Sequence, residues 1–270
     1  MNDWLTIRRG EAPLLVSFPH TGTEIPAPFD SELVGPWLAR KDADWWIDQL
    51  YDFAAELDAT IVHTAISRTV IDVNRDPSGV SLYPGQATTD LCPTTTFDGE
   101  PLYKSALPDA AAIAQRRKTF FDPYHAALAD EIARLRKSHD KIVLYDCHSI
   151  RSVIPRLFEG TLPEMNIGTN SGASCDPALA EAIAGHAQAS GFSHIVNGRF
   201  KGGFITRNFG KPSEGVHAVQ MELACRAYMH EPLGPVSEAA WPSPYDERKA
   251  APMRATLTEI LRTCTHFAKS

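Results

Sequence analysis

Residues 142–145, Ile-Val-Leu-Tyr, form an apolar run that halts at Asp146-Cys147-His148-Ser149. The pattern predicts a buried central strand whose carboxyl end presents polar groups. Side chains alternate along a strand, so Asp146 and His148 point to one side and Cys147 to the other. Residues 14–18, Leu-Leu-Val-Ser-Phe, repeat the arrangement and lead through Pro19 to His20. Ligands in open α/β sheets gather at the carboxyl ends of strands. Two strands that each end in a histidine, far apart in the chain, point to a metal site assembled by the fold.

Other periodicities supply the remaining elements. Trp46, Leu50, Phe53 and Leu57 recur at spacings of four, three and four, one buried face of a helix beginning near Asp42. Residues 60–65 and 69–73 are β-branched and apolar and read as two more strands. Residues 110–137 are helix-rich, with Pro123 at a kink or in the first turn of a second helix. Asp176-Pro177 is a strong helix start, an N-cap followed by proline at the first position, for a helix to about residue 190. A short strand at 194–197, a basic glycine-rich turn from Gly198 to Gly203 and an alternating strand at 216–223 follow. Leu257, Ile260, Leu261 and Cys264 mark a C-terminal helix. Residues 76–104 and 149–174 show no sustained period. The first, with Pro77, Gly79, Pro84, Gly85, Pro93, Gly99 and Pro101, is an irregular loop of the length that usually serves as a lid or binding loop. Strands alternating with helices predict an α/β fold, one domain over residues 1–270, with long loops over one end of the sheet.

A net charge of -7 and a pI near 5.8 argue against nucleic acid or an anionic membrane as partner. No segment has the apolar length of a membrane helix, and the N-terminus lacks the apolar core of a signal peptide. Five cysteines, an odd number without CxxC spacing, read as reduced thiols of a cytoplasmic protein.

Several residue groups could carry chemistry. His20 and His148 suit an open zinc site with three protein ligands, the third being Glu24 or Asp44 as far as spacing goes. In Val70-Ile-Asp-Val-Asn74-Arg75 a strand-like run leads into an amide beside a guanidinium, a pair suited to a carboxylate. Gln220 and Glu222 share one face of the strand at 216–223; a glutamate amid apolar residues is either a poised base or half of a buried ion pair. Arg151, Arg199, Lys201 and Arg207 lie in loops beside glycines, where they could form an anion pocket. Cys147 beside His148 raises a cysteine nucleophile, which strand alternation disfavours.

Together these motifs resemble the N-formylglutamate amidohydrolase family over almost the whole chain. The pieces that carry the resemblance are Ser17-Phe-Pro-His20-Thr-Gly22, Asp42-Ala-Asp44-Trp45, Ser67-Arg68-Thr-Val-Ile-Asp72-Val-Asn74-Arg75, Asp146-Cys-His148-Ser149-Ile-Arg151, Asn197-Gly-Arg199-Phe-Lys201-Gly-Gly and Gln220-Met-Glu222-Leu. The resemblance extends distantly to zinc carboxypeptidases and aspartoacylases. It implies a mixed sheet flanked by helices and one zinc held by two histidines and a carboxylate. The HxxE ligand pair of those relatives is absent, since Thr23 stands at its second position; the resemblance favours Asp44 as third ligand, with His20 and His148. It also implies that Glu222 is the general base and acid, and that Asn74 and Arg75 grip a carboxylate, with Arg75 assisting at the scissile carbonyl. Asp146 would orient a histidine ligand. Arg151, Arg199, Lys201, Arg207 and Gln220 complete the expected contacts to a small anionic substrate, with Arg151 and Arg207 favoured among the loop cations. The implied reaction is hydrolysis of N-formyl-L-glutamate to formate and L-glutamate, the last step of a histidine degradation route. Competing expectations are a related amidohydrolase acting on another N-acyl amino acid and a non-catalytic dicarboxylate-binding protein.

Overall fold

The computed structural model describes residues 3–82, 85, 87–232 and 234–270. β1 (Leu5–Arg8), β2 (Leu14–Phe18), the single turns α1 (Ala27–Asp30) and α2 (Ile47–Leu50), and β3 (Thr60–Thr64) form the first third. Then come α3 (Ala110–Arg116), a π-helical turn at Arg117–Phe121, α4 (Asp122–Leu135), β4 (Ile142–Ile150) and β5 (Met165–Gly168). α5 (Pro177–Ser190), β6 (His194–Val196), α6 (Phe204–Phe209), β7 (Val216–Ala224) and α7 (Glu247–Lys269) complete the chain.

The strands make one seven-stranded mixed sheet in the order β1-β3-β2-β4-β7-β5-β6. β3, β2, β4 and β7 run parallel in its centre, while β1 and β5 lie antiparallel to their inner neighbours. β2 has β3 on one side and β4 on the other, so the direction of winding reverses between β2 and β4. The crevice outside their carboxyl ends is where such sheets bind ligands, and His20 and His148 arrive there.

Alternate residues of the central strands enter two cores. Leu14, Val16, Val143, Tyr145, Cys147, Val219, Met221 and Leu223 pack under α5 and α7, against Leu179, Ile183, Met253, Leu257, Ile260 and Leu261. Leu15, Leu144 and Ala218 face α4 and its Tyr124, Leu128 and Leu135. Each large apolar side chain buried this way contributes roughly 1.5–3 kcal/mol. The α7 side is apolar from Val143 to Cys147 in β4 and from Val219 to Leu223 in β7. The α4 side changes to Ser17, Asp146, His148, Gln220 and Glu222 as the strands approach their carboxyl ends. Cys147 therefore sits in the core with its thiol pushed well up by burial, unsuited to nucleophilic attack.

Three local expectations fail. Residues 42–57 do not form one helix: the Asp44 N–H bonds the His20 carbonyl at 3.0 Å, and Trp46 takes a left-handed backbone with φ 63°. That bend leaves only α2 and a 3-10 turn at Asp52–Ala55, with Leu50 and Phe53 buried but Trp46 and Leu57 half-buried. Residues 69–73 form no strand and are not part of the sheet. Val70, Ile71 and Val73 are nonetheless buried in the α4-side core. The stretch 149–174 contains β5, whose four residues are too few to show a period. The 76–104 loop has no helix or strand among its described residues, only isolated bridges such as Thr95 with Pro101; Pro84 lies outside them. Among the described residues no helix is long and apolar enough to cross a membrane.

Candidate metal centre and active site

The register of the parallel strands brings the polar rows together. Asp146 pairs with Gln220 and with Ser17 on either side, and His148 pairs with Glu222. His20 follows β2 by two residues, and its Nε2–H donates to Asp72 Oδ1 at 2.7 Å. His148 Nε2–H donates to Asp146 Oδ2 at 2.8 Å. Each imidazole thus has a carboxylate behind it and turns Nδ1 the other way, toward Asp44 Oδ2, at 3.7 Å for His20 and 3.0 Å for His148. A carboxylate on the far nitrogen fixes the ring and raises the basicity of the near one, the usual arrangement behind metal-binding histidines.

This donor set fits a metal ion. One ligand atom from each of His20, Asp44 and His148 lies within 4.8 Å of the others, and all three residues are buried. Two ligands about 2.1 Å from an ion at a tetrahedral angle are about 3.4 Å apart, close to the spacings here. His20 Nδ1 and Asp44 Oδ1 are buried without any hydrogen-bond partner, an expensive state that a cation relieves. Burial, reinforced by the nearby Arg68 cation, holds His20 neutral with its lone pair available. Burial also opposes charge on His148, but Asp146 and Asp44 outweigh it and raise its pKa well above the ordinary value. A metal ion would take the place of that ring proton on Nδ1. Glu24, the other ligand that spacing allowed, is exposed and contributes only a backbone bridge to Ile66.

Glu222 stands beside this cluster with one oxygen accepting from Gln220 Nε2 at 2.9 Å. Burial pushes its carboxyl up to about 7, partly opposed by His148. A carboxyl in that range can accept and return a proton near neutral pH. Gln220 does not reach outward to a ligand: its oxygen accepts from the Gly203 N–H at 2.7 Å, so it ties the glycine turn to Glu222.

His20, His148, Glu222, Gln220, Asn74, Arg75 and Arg199 line one cavity, walled by the irregular loop through Thr88, Thr89 and Phe97. Arg75 donates to Thr89 Oγ1 at 3.0 Å, and Arg199 is braced by the carbonyls of Leu157 and Ala87. Arg151, Lys201 and Arg207 do not line this cavity. Arg151 is drawn away by Asp98 at 2.7 Å and Asp42 at 3.6 Å, and the Arg207 Nε–H is bonded to the Gly202 carbonyl. Of the loop cations, it is Arg199 that lines the cavity, where the sequence favoured Arg151 and Arg207.

Arg68 and Asp72 belong to the site and carried no assigned role in the sequence reading. Arg68 is 7% exposed, lines the cavity, bonds Asp72 Oδ2 at 2.6 Å and stands 3.8 Å from Asp44 Oδ1. Burial opposes ionisation of Asp72, but His20, Arg68 and Arg75 hold its carboxyl well below the ordinary range. The signal was available: an arginine and an aspartate four apart inside an apolar run must be buried together, and buried charges need partners.

Known proteins resemble this chain in sequence and in fold. The N-formylglutamate amidohydrolase family model matches residues 12–229. Two curated N-formylglutamate deformylases, from Pseudomonas aeruginosa and Pseudomonas putida, are each 45% identical over 267 residues, 97% of this chain and 96% of theirs. The crystal structure of N-formylglutamate amidohydrolase from Ralstonia eutropha JMP134 superposes with a TM-score of 0.78 at 22% identity, covering 98% of each chain. The gene product Atu2144 from Agrobacterium tumefaciens shares the fold at TM-score 0.73 and 18% identity, over 97% of this chain and 95% of that one. The two structures speak to the fold alone, but the family match and the near full-length relatives go further: this chain belongs to the N-formylglutamate amidohydrolase family.

Proposed function

We infer that this chain is an N-formylglutamate deformylase that hydrolyses N-formyl-L-glutamate to formate and L-glutamate. The observation that carries the reading is the 45% identity to two such deformylases over nearly the whole chain. His20, Asp44 and His148 would hold one divalent ion, zinc in our reading. When bound, such an ion polarises a carbonyl oxygen and makes water a better nucleophile near neutral pH.

The chain's own residues do the rest. Glu222 takes the proton of the attacking water and delivers it to the departing amide nitrogen, so that glutamate leaves as an amine. Gln220 keeps the Glu222 carboxylate aimed during both transfers. Arg68, buried beside Asp44, meets the negative charge that develops on the formyl oxygen. Arg75 and Arg199 receive the two carboxylates of the glutamyl part; a guanidinium fork suits each. Asp72 and Asp146 hold the histidine rings. A cytoplasmic setting is supported by five buried free thiols, and a place at the end of histidine degradation by the product pair itself.

The test is formate release from N-formyl-L-glutamate by the purified protein, by the chelated protein, and by that protein after zinc is restored. Activity lost on chelation and regained with zinc supports the reading. Full activity after complete metal removal would overturn the metal assignment. Release of formate no faster than from an N-formyl amino acid lacking the side-chain carboxylate would overturn the substrate.

A further inference from the structure

Asn74 carries four polar groups, and the protein uses all of them. Its backbone N–H donates to Asp72 Oδ1 at 2.9 Å, and its side-chain amide donates to Asp146 Oδ2 at 3.0 Å. Those are the two carboxylates that stand behind His20 and His148. Its backbone carbonyl accepts from the Phe204 N–H at 3.1 Å, and its side-chain oxygen from the Ile205 N–H at 2.8 Å, both at the start of α6. The amide nitrogen is also packed 2.8 Å from His148 Nε2. A Cβ on Gly203 would come within 2.5 Å of the Asn74 amide, so only glycine lets α6 close on it.

The peptide ahead of Asn74 is held as well. Its N–H is the one bound to Asp72; its carbonyl, that of Val73, accepts from His125 Nε2–H at 2.8 Å. His125 Nδ1 is buried without a partner, so the single ring proton sits on Nε2. The ring is stacked on Phe121 and Phe209, with centroids at 4.2 and 5.7 Å, and meets Phe204 edge-on at 5.3 Å. It lies on α4, does not line the cavity, and reaches the site through that carbonyl.

We propose that Asn74 is a positioning residue for the metal ligands, joining the carboxylates behind both histidines into one unit, and that His125 holds Asn74 in place from behind. With its oxygen held by the Ile205 N–H and one amide hydrogen by Asp146, the amide is oriented by the metal-site carboxylates and α6, whereas the role expected for Asn74 beside Arg75 was to grip a substrate carboxylate. The geometry instead assigns it to the preorganisation of the metal site, where loss of an outer partner typically weakens metal binding by about 10–100-fold. The proposal rests on the metal reading of the site.

The experiment reads metal affinity without substrate. Zinc dissociation constants are measured by competition with a chromophoric chelator for the wild type, Asn74→Ala and His125→Phe. The second variant keeps an aromatic ring, slightly larger, among the same neighbours and removes the N–H that holds the Val73 carbonyl. Expected are about 10–100-fold weaker zinc binding for Asn74→Ala and a smaller, several-fold loss for His125→Phe. KM for N-formyl-L-glutamate in the zinc-saturated variants should stay within about threefold of wild type, since substrate binding energy is untouched. Wild-type zinc affinity in Asn74→Ala with a KM raised about tenfold or more makes Asn74 a substrate ligand and overturns the proposal. Should circular dichroism show Asn74→Ala unfolded, His125→Phe decides: unchanged zinc affinity in that folded variant overturns it. A wild-type protein that takes up no zinc removes the metal reading, and this proposal with it, before any variant is compared.

Discussion

Glu222→Gln is the substitution whose consequences can be worked furthest. It keeps the shape of the side chain and an oxygen for the Gln220 amide to donate to, and removes only the ability to carry a proton. Burial lifts the Glu222 carboxyl from an ordinary 4.5 to about 7, which penalises its charged form by about 3 kcal/mol. The sign follows from linkage. Between pH 4.5 and 7 the unfolded chain releases this proton while the folded one keeps it, so the wild type loses stability as pH rises through that window. Above about pH 7 both states are ionised and the loss is complete. The amide carries no such penalty. In metal-free protein, Glu222→Gln should therefore match the wild type near pH 4.5 and gain up to about 3 kcal/mol by pH 8. With an unfolding entropy of about 2.1 cal/mol/K per residue over 270 residues, that gain is about 5 °C in Tm. Thermal denaturation of both chelated proteins at pH 5 and pH 8 measures the gap, and formate release measures the cost, a fall in kcat of about 100- to 10,000-fold. A gap that is the same at both pH values would refute the burial argument. Turnover near that of the wild type would refute the role of Glu222 as base.

Metal content separates the two carboxylates that spacing left open: Asp44→Ala should lose its equivalent of metal on dialysis, while Glu24→Ala, changed at an exposed position, should retain it. Arg199→Ala should raise KM by about tenfold or more with kcat changed much less, since a hydrogen bond to a charged group is worth roughly 1.5–3 kcal/mol. Arg151→Ala should leave KM within about twofold, because its guanidinium is engaged by Asp98 and Asp42 outside the cavity. The reverse ranking of those two arginines in steady-state kinetics would contradict the placement of the substrate.

The parts of the site that could be read from sequence are those where a regular element delivers the residue. His20, His148 and Glu222 each follow or end an apolar strand, and period two fixes their side. Helices α5 and α7 were visible through an N-cap in one and an apolar stripe in the other. Asp44 and the Arg68–Asp72 pair come from irregular backbone, and there the local pattern misleads. The stripe from Trp46 to Leu57 looks like one helix, yet the chain bends at Trp46 beside the carboxylate it delivers. The β-branched run at 69–73 looks like a strand, yet it joins no strand of the sheet and instead buries Val70, Ile71 and Val73 in the α4-side core. The loop arginines were ranked by their neighbours in sequence; which one faces the cavity depends on Asp42 and Asp98, far from Arg151 along the chain.

The reversal of winding between β2 and β4 also ties metal occupancy to the integrity of the whole sheet. His148 and Asp44 are separated by 104 residues, and no short peptide of this chain contains the full donor set. A bound ion would act as a removable cross-link closing two long loops through the centre of the molecule. The unfolded chain offers it nothing comparable, so an ion present at 100 times its dissociation constant would add about 2.7 kcal/mol to the stability of the native state. If the site holds an ion, starving the protein of it would also loosen the middle of the sheet and leave the chain more open to proteolysis, so that supply of the ion would set how long each molecule lasts.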